Sequence, residues 1–276
     1  MSATTAGSPA QPASQRRESF QRNVNLAREL AWTQFKLKYT GSVLGYLWSL
    51  VKPLILFSIM YTIFVVLFHQ RAHEFPLQLL VGIVVFTFFT DCVGAGMSSI
   101  AANGNLIRKA FFPRSILVIA SSLSAAMTFL INMTLIVVIA TPLGHLSLGL
   151  SSIAVVPLVL ELYVLALGLS LLLASLFVFY RDLGHIWEIF SQVLFYGSAV
   201  VYPATLVPAR WRDLFFVNPM SQIIEDVRHA LVTPDVPWTV NYVGPQIVIP
   251  IVVAIMLLAL GLVVFRRLTP VFAENL

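Results

Sequence analysis

The stretch Gln246–Phe265 reads QIVIPIVVAIMLLALGLVVF, twenty consecutive residues without a charged side chain. A helix needs about 20 apolar residues to cross the hydrocarbon core of a bilayer, so this stretch is long enough to span a membrane. Five other apolar stretches precede it, and together they predict an all-α membrane protein with six transmembrane helices. The predicted spans are Val43–Phe68, Leu77–Ile100, Ser115–Ala140, Ser151–Phe179, Ile186–Val201 and Gln246–Phe265. The fifth is short, and the alternative is a helix that turns back before it reaches the far side.

The composition also indicates that lipid is the solvent for much of this chain. Hydrophobic residues make up 58% of the sequence, charged residues 11%, and the mean hydropathy is +0.88. A soluble domain has about 25% charged residues, and one globule of this size cannot bury so much apolar surface. The net charge of +5 is spread over short loops rather than one dense patch, which argues against nucleic-acid binding.

Basic residues at the ends of the spans predict the orientation of the bundle. They are concentrated before span one, between spans two and three, between spans four and five, and after span six: Arg16, Arg17, Arg22, Arg28, Lys36, Lys38, Arg108, Lys109, Arg114, Arg181, Arg266 and Arg267. The positive-inside rule therefore predicts that both termini are cytoplasmic and that the number of spans is even. The long segment before span six also contains arginines, but long loops carry little weight in this rule.

The sequence predicts four regions along the chain. Residues 1–15 have no apolar core and are expected to be a disordered cytoplasmic tail, with no cleavable signal peptide. Residues 16–40 are expected to form an amphipathic interface helix, residues 41–268 the transmembrane domain, and residues 269–276 a cytoplasmic tail.

The amphipathic helix has an apolar and a polar face. The apolar face holds Phe20, Val24, Ala27, Ala31 and Phe35, and the polar face holds Arg22, Asn25, Glu29 and Lys36. A basic amphipathic helix next to a first span is expected to lie in the inner membrane interface. It is either a simple lipid anchor or a belt that also contacts a cytoplasmic partner and a lipid-linked substrate.

The loop between spans two and three is short and basic, and it has an apolar side formed by Leu106 and Ile107. A short helix here, parallel to the membrane, would present a protrusion to a soluble partner. The alternative is a plain connection whose charges only set the orientation of the spans.

A few ionisable residues fall within the apolar stretches. Asp91 lies inside span two, Glu161 inside span four and Glu188 near the start of span five. A charge at mid-membrane costs at least about 2.5–3.5 kcal/mol, so these groups should face protein or water. Asp91 either lines a polar path or accepts hydrogen bonds between helices, and we slightly favour the second role. Lys52 either anchors span one at the headgroups or contacts an anionic pyrophosphate lipid.

The segment before span six alternates prolines with aromatic residues. Two apolar pieces, Trp211–Val217 and Ser221–Val232, are too short to span a bilayer and are predicted to be re-entrant or interfacial helices on the outer face. Their aromatic side chains would either stack on sugar rings or form an ordinary interfacial belt.

Several common sites are absent from the sequence. It contains no Gly-x-x-x-x-Gly-Lys-[Ser/Thr] phosphate-binding loop, so the chain is not expected to hydrolyse ATP. His69 and His73 have helical spacing but no third ligand nearby, so we expect no metal. Cys92 is the only cysteine, which excludes an intrachain disulfide, and no Ser/His/Asp arrangement can be argued. We therefore expect no catalytic residues and no cofactor in this chain.

Five short motifs resemble those of the ABC-2 type polysaccharide exporter permeases. They are Lys38–Trp48 (KYTGSVLGYLW) followed by Pro53-Leu54; Asn105–Lys109 (NLIRK) with Phe112-Pro113-Arg114; Tyr180-Arg181-Asp182-Leu183; Tyr202-Pro203 with Asn218-Pro219-Met220; and Arg267-Leu268 with Phe272-Ala273. Each motif is short, but their order and spacing extend over nearly the whole chain after residue 15.

The resemblance implies a homodimer of six-span subunits, paired with two copies of a cytoplasmic ATPase that binds ATP and Mg²⁺. It implies that the homodimer lies in the lipid bilayer and exports an undecaprenyl- or decaprenyl-linked polysaccharide across the cytoplasmic membrane of a bacterium. The polymer would be O-antigen, capsule, teichoic acid or actinobacterial galactan, with a slight preference for the last from the composition of the N-terminal tail.

The resemblance also assigns roles to residues. The coupling helix that docks into the ATPase would consist of Asn105, Leu106, Ile107, Arg108 and Lys109. The candidate substrate path would include Tyr46, Trp48, Lys52, Phe57, Tyr61, Tyr202 and Trp211.

Three alternative functions stay open at this point. An ABC-2 permease for drugs or lipids would have the interface helix less often. A membrane-bound transferase acting on polyprenyl-phosphate sugars needs clustered catalytic residues in one loop, and none is evident. A passive channel subunit would not need the coupling loop.

Overall fold

A computed structural model describes residues 13–41, 45–67, 74–109, 112–142, 146 and 149–272. These residues form helices, turns and irregular connections, with no strand among them. The helices are α1 (Ala13–Tyr39), α2 (Trp48–Tyr61), α3 (Phe75–Ala102), α4 (Gly104–Lys109), α5 (Ser115–Ala140), α6 (Val155–Phe177), α7 (Leu183–Gly197), α8 (Ala209–Phe215), α9 (Pro219–Leu231), α10 (Thr239–Val243) and α11 (Val248–Leu268). The predicted all-α class is confirmed. The predicted N-terminal tail lies outside the described residues as far as residue 12, and α1 begins at Ala13.

Within the described residues, five helical segments are long and apolar enough to cross a membrane. They are Gly45–Leu67, Phe75–Ala102, Ser115–Ala140, Leu150–Phe177 and Thr239–Val271. These segments correspond to the predicted spans one, two, three, four and six. The predicted fifth span corresponds to α7, which has 15 residues. Such a helix is about 22 Å long, less than the hydrocarbon thickness, so α7 alone does not meet the length criterion.

The centre of the bundle is α3, on which α5 and α6 pack, and α11 packs on α6. Helix α6 approaches both α3 and α11 through small residues. Gly96 of α3 faces Ser170, because a Cβ built on Gly96 would lie 2.6 Å from the Ser170 Cβ. Gly168 of α6 faces α11, where a Cβ would lie 2.5 Å from the backbone nitrogen of Leu258. Side chains larger than hydrogen would separate these helices, so glycine permits contact between their backbones.

One end of the bundle, here called the α4 end, is closed by a cluster of apolar side chains. Its buried members are Ile100, Ile107, Leu117, Val118, Leu171, Ala174, Val178, Phe265 and Phe272. The Arg114 guanidinium also donates a hydrogen bond to the Thr269 carbonyl. The cluster therefore joins α4 to the ends of α3, α6 and α11 and to the start of α5.

Helix α1 packs along α5 rather than standing apart from the bundle. Ala31 and Phe35 are buried, whereas Phe20 and Val24 at the start of the predicted apolar face are exposed. The Ser121 hydroxyl donates to the Gln34 side-chain oxygen at 3.1 Å, which ties the second half of α1 to α5.

Helix α7 runs along α3 in the opposite direction. The Trp187 ring lies 5.9 Å from Phe89, and the Phe195 ring lies 5.2 Å from Phe86, one turn closer to the start of α3. The helix ends at Gly197, and Ala199 then adopts a positive φ of 55°. The chain therefore leaves α7 through a buried turn.

Candidate functional site

A groove opens between the first span and the pair formed by α3 and α5. It consists of two adjoining cavities that share Pro53, Val84 and Asn132. The first, here called the polar pocket, has a volume of about 400 Å³ and is lined by charged, hydroxyl and amide groups from Lys38, Ser49, Lys52, Thr87, Asp91, Thr128 and Asn132, together with Trp48. The second, here called the apolar trough, has a volume of about 420 Å³ and is lined mainly by Leu54, Phe57, Leu77, Leu80, Leu135 and Ile139.

The groove is open because span one is held loosely. In the most apolar part of span one only 6% of the residues are buried, whereas in that of α3 67% are buried. Pro53 interrupts α2 by removing one backbone donor, and residues Thr62–Leu67 continue the span with π-helical hydrogen bonding. Beside the polar pocket, Asn132 of α5 ties span one to the bundle, because its amide donates to the Ser49 carbonyl at 3.1 Å.

The polar pocket contains an ion pair between two distant parts of the chain. The Lys38 ammonium at the end of α1 lies 3.1 Å from the Asp91 carboxylate of α3. Asp91 thus lines a polar cavity and also accepts a hydrogen bond, and its donor comes from the interface helix rather than from another span. Asp91 is recognisable in the sequence as an acid inside an apolar stretch, but its partner is not, because 53 residues separate the two.

The structure brings some predicted substrate-path residues together and separates others. Trp48 and Lys52 line the polar pocket, Phe57 lines the apolar trough, and the Tyr61 ring lies 5.7 Å from that of Phe57. The Tyr46 ring stacks on Phe35 of α1 at 5.2 Å.

Two predicted path residues lie away from the groove, near α8. The Tyr202 hydroxyl donates to the Tyr196 carbonyl at 2.8 Å, and the Arg210 guanidinium lies 5.6 Å from the Trp211 ring centre. Neither side chain lines the polar pocket or the apolar trough.

At the opposite end from α4, Arg228 of α9 forms a buried network. Its guanidinium donates to the carbonyls of Val200 at 2.7 Å, Gln78 at 3.0 Å and Tyr202 at 3.2 Å, and it lies 3.4 Å from Glu225. Burial is the main cause that lowers the pKa of Arg228 and raises that of Glu225, and the attraction between the two opposes both shifts. Arg228 therefore holds the turn after α7 against the start of α3.

This network is not apparent from the sequence, in which Glu225 and Arg228 are only charges of a segment predicted to be external. One signal was available in the sequence. Glu225 and Arg228 have i, i+3 spacing within a predicted short helix, which places the two opposite charges side by side on one helix face.

The other intramembrane acids lie in different surroundings. Glu161 of α6 lies against Gln222 and Asp226 of α9, and its Oε1 is buried without a hydrogen-bond partner within the described part of the chain. Glu188 of α7 is exposed, 3.6 Å from His185.

The predicted coupling loop forms the short helix α4, whose apolar residues divide between two roles. Ile107 is buried in the cluster at the α4 end, whereas Leu106 is 37% exposed. Leu106 also lines a crevice of about 450 Å³ between α1 and α4, with Arg22, Leu26 and Phe112. Asn105 is exposed, and the side chains of Arg108 and Lys109 lie outside the described part of the structure.

No group of three His, Cys, Asp or Glu side chains that could hold a metal occurs among the described residues. His69 and His73 lie outside those residues.

Comparison with known proteins places the whole arrangement in one family. Residues 25–232 match the family described as ABC-2 type transporter. An O-antigen export system permease protein of Klebsiella pneumoniae is 28% identical over 242 residues, which cover 87% of this chain and 91% of the relative. One of Myxococcus xanthus is 27% identical over 197 residues, covering 71% and 75% of the two chains. A polysialic acid transport protein of Escherichia coli is 22% identical over 190 residues, covering 68% and 74%. Because the family match extends from α1 to the end of α9, this chain belongs to the ABC-2 type transporter family.

Proposed function

We propose that this chain is the transmembrane permease subunit of an ATP-driven exporter that moves a lipid-linked polysaccharide across the cytoplasmic membrane of a bacterium. The likeness to an O-antigen export permease over 87% of the chain carries this proposal. A membrane-bound sugar transferase is set aside because the family is one of transporters.

The proposed topology has six crossings and both termini in the cytoplasm. Helix α6 ends near the α4 end, where Phe179 lies 6.4 Å from Phe272, whereas Val200 after α7 is bonded to Arg228 at the other end. The chain between them must therefore traverse the bundle, and α7 with the turn that follows it supplies that crossing. Helices α8 and α9 then form the re-entrant structures of the outer face.

We propose that a second copy of the chain completes the pathway. Span one is 6% buried, and α7 presents exposed apolar side chains at Ile189 and Val193. Two subunits facing one another across these elements would enclose a passage that one subunit leaves open.

The energy source in this proposal is a separate ATPase, two copies of which bind ATP and Mg²⁺ and dock on α4. Leu106 supplies the exposed contact, and Ile107 fixes α4 to the cluster that also includes Leu117 and Phe265. A push on α4 would thus be transmitted to four long helices, α3, α5, α6 and α11. Export follows if the ATPase favours a different arrangement of the bundle in each nucleotide state.

Depletion of the chain in its own bacterium tests this proposal. We expect lipid-linked polysaccharide to accumulate inside the cell and to disappear from the surface, and expression of the intact chain to restore it. Affinity purification should recover an ATP-binding chain. Unchanged surface polysaccharide after depletion, or ATP hydrolysis by the purified chain alone, would contradict the proposal.

A further inference from the structure

We infer that the groove beside span one binds the carrier lipid of the substrate, with its diphosphate in the polar pocket and its polyprenyl chain in the apolar trough. This inference rests on the proposed function and adds a location for the carrier, on the face formed by span one, α3 and α5.

The charges of the polar pocket favour an anionic group. Lys38 and Lys52 supply two ammonium groups, and Asp91 supplies one carboxylate, which pairs with Lys38. Among the described residues no carboxylate forms an ion pair with Lys52. The pocket therefore has one net positive charge, centred on Lys52, and a phosphate oxygen would compensate it through a charge-assisted hydrogen bond.

The two cavities together match the two parts of a lipid, because a charged cavity suited to a headgroup adjoins an apolar one suited to a hydrocarbon chain. Pro53, Val84 and Asn132 line both, so the charged region continues directly into the apolar one. Beyond them the trough presents leucine, isoleucine and phenylalanine side chains on all three helices. A polyprenyl chain bound in the trough would be separated from the surrounding lipid tails and would still lie in an apolar environment.

The depth of the polar pocket favours the carrier over bulk phospholipid. Asp91 lies 16 residues after Phe75 and 11 residues before Ala102, about 24 Å and 16 Å from the two ends of α3. The 28 residues of α3 extend about 42 Å, so a helix centred on a hydrocarbon core of about 30 Å would place Asp91 about 10 Å inside that core, deeper than phospholipid headgroups. An anion at that depth needs protein partners, and Lys52 is positioned to provide one.

The size of the polar pocket and its hydrogen-bonding groups also favour a diphosphate over a simple phosphodiester. About 400 Å³ exceeds the volume of one phosphate, which leaves room for a diphosphate and part of the first sugar. Ser49, Thr87 and Asn132 add hydroxyl and amide groups around that space. A simple phosphodiester would use few of them, whereas a glycosyl diphosphate has many hydrogen-bonding oxygens.

Binding of undecaprenyl diphosphate to the purified complex with its ATPase, in nanodiscs of neutral phosphatidylcholine, tests the inference. We expect Lys52→Met to weaken binding roughly tenfold, because one charge-assisted hydrogen bond is lost. Lys36→Met is the matched control: Lys36 lies on α1 over the Trp32 ring, outside the groove, and its loss should change affinity less than twofold. Asp91→Asn should leave affinity equal or higher, since it removes the negative charge from the pocket.

Competition distinguishes the carrier from bulk lipid. A hundredfold excess of phosphatidylglycerol should leave most of the undecaprenyl diphosphate bound. Equal affinity of Lys52→Met and the unchanged chain, or displacement by equimolar phosphatidylglycerol, would overturn the inference. Either result would leave the proposed function intact, since that function is tested by depletion of the chain and by ATP hydrolysis of the purified chain, and not by binding of the carrier.

Discussion

Arg228 has almost no exposed surface, yet its guanidinium finds four acceptors because the surrounding backbone is arranged around it. Gly82 makes that arrangement possible: a Cβ at this position would lie 2.8 Å from both the Arg228 Nη2 and the Val200 carbonyl. A single methyl group would therefore displace the turn after α7. A sequence shows the arginine and the glycine separately, but not that they meet.

We predict that Gly82→Ala lowers the melting temperature of the purified protein in detergent by several degrees, because the backbone carbonyl of Val200 cannot rotate away as a side chain would. The matched control is Gly94→Ala on the same helix, where the nearest atom to a new Cβ is the Trp187 Nε1 at 3.8 Å. Equal melting temperatures for the two variants would show that Gly82 is not constrained by Arg228.

Among the helices, the sequence predicts best those whose ends are set locally. The Asn218-Pro219 pair is a typical start signal, and the Asn218 side chain does accept the Met220 N–H at 3.0 Å at the beginning of α9. Helix α7 is different, because its apolar sequence continues beyond the residue where it stops. The Asn218 amide donates to Ser198 at 2.8 Å, and Arg228 binds Val200, so partners from distant residues end the helix.

Helix α4 allows docking and packing to be separated by two neighbouring substitutions. We predict that Leu106→Ala weakens binding of the ATPase without lowering the melting temperature, because its side chain is partly exposed. Ile107→Ala should instead cost about 2–5 kcal/mol of stability, because it removes a buried side chain from the cluster at the α4 end. Pull-down of the ATPase and thermal unfolding measure the two effects, and a reversal of the pattern would mean that α4 is not the docking element.

Helix α9 gives a predicted pH dependence of stability. Burial raises the pKa of Asp226 above its usual range, against the hydrogen bonds from Gln222 and Thr239. A raised folded pKa means that protonation stabilises the folded state: the contribution is complete below the unfolded value of about 4 and is lost as pH rises through the folded value. We predict that the melting temperature falls as pH rises from about 4 and that Asp226→Asn reduces this fall. Parallel pH profiles for the two proteins would contradict this assignment.

At the level of the whole molecule, α3 forms a tightly packed centre with α5 and α6, α11 packs on α6, and span one and α7 lie outside this centre. The apolar stretches of the sequence predict five of the spans. They do not predict which helices pack tightly and which lie outside, because that depends on which glycines face one another. The groove is equally hidden from the sequence. The family resemblance assigns both Trp48 and Lys52 to the substrate path, whereas Lys38 and Asp91 meet only once α1 packs on α5.

We predict that Gly168→Ala destabilises the entire bundle, because a Cβ there would lie 2.5 Å from the Leu258 backbone nitrogen and neither helix backbone can yield. Gly197→Ala is the control, because no atom of the described residues lies within 4 Å of the new Cβ. The yield of monodisperse protein in size-exclusion chromatography should fall for the first variant only. A normal yield of Gly168→Ala would show that the α6–α11 crossing tolerates greater separation.

Pro53 and the π-helical turn at Thr62–Leu67 interrupt the same span on either side of Phe57. Helices bend most readily where the hydrogen-bond ladder is broken, so span one has two hinges and a short rigid piece between them. That piece forms one wall of the apolar trough, while the opposite wall belongs to helices that are locked together. The groove can therefore change its width by swinging this one piece, without any rearrangement of the packed centre.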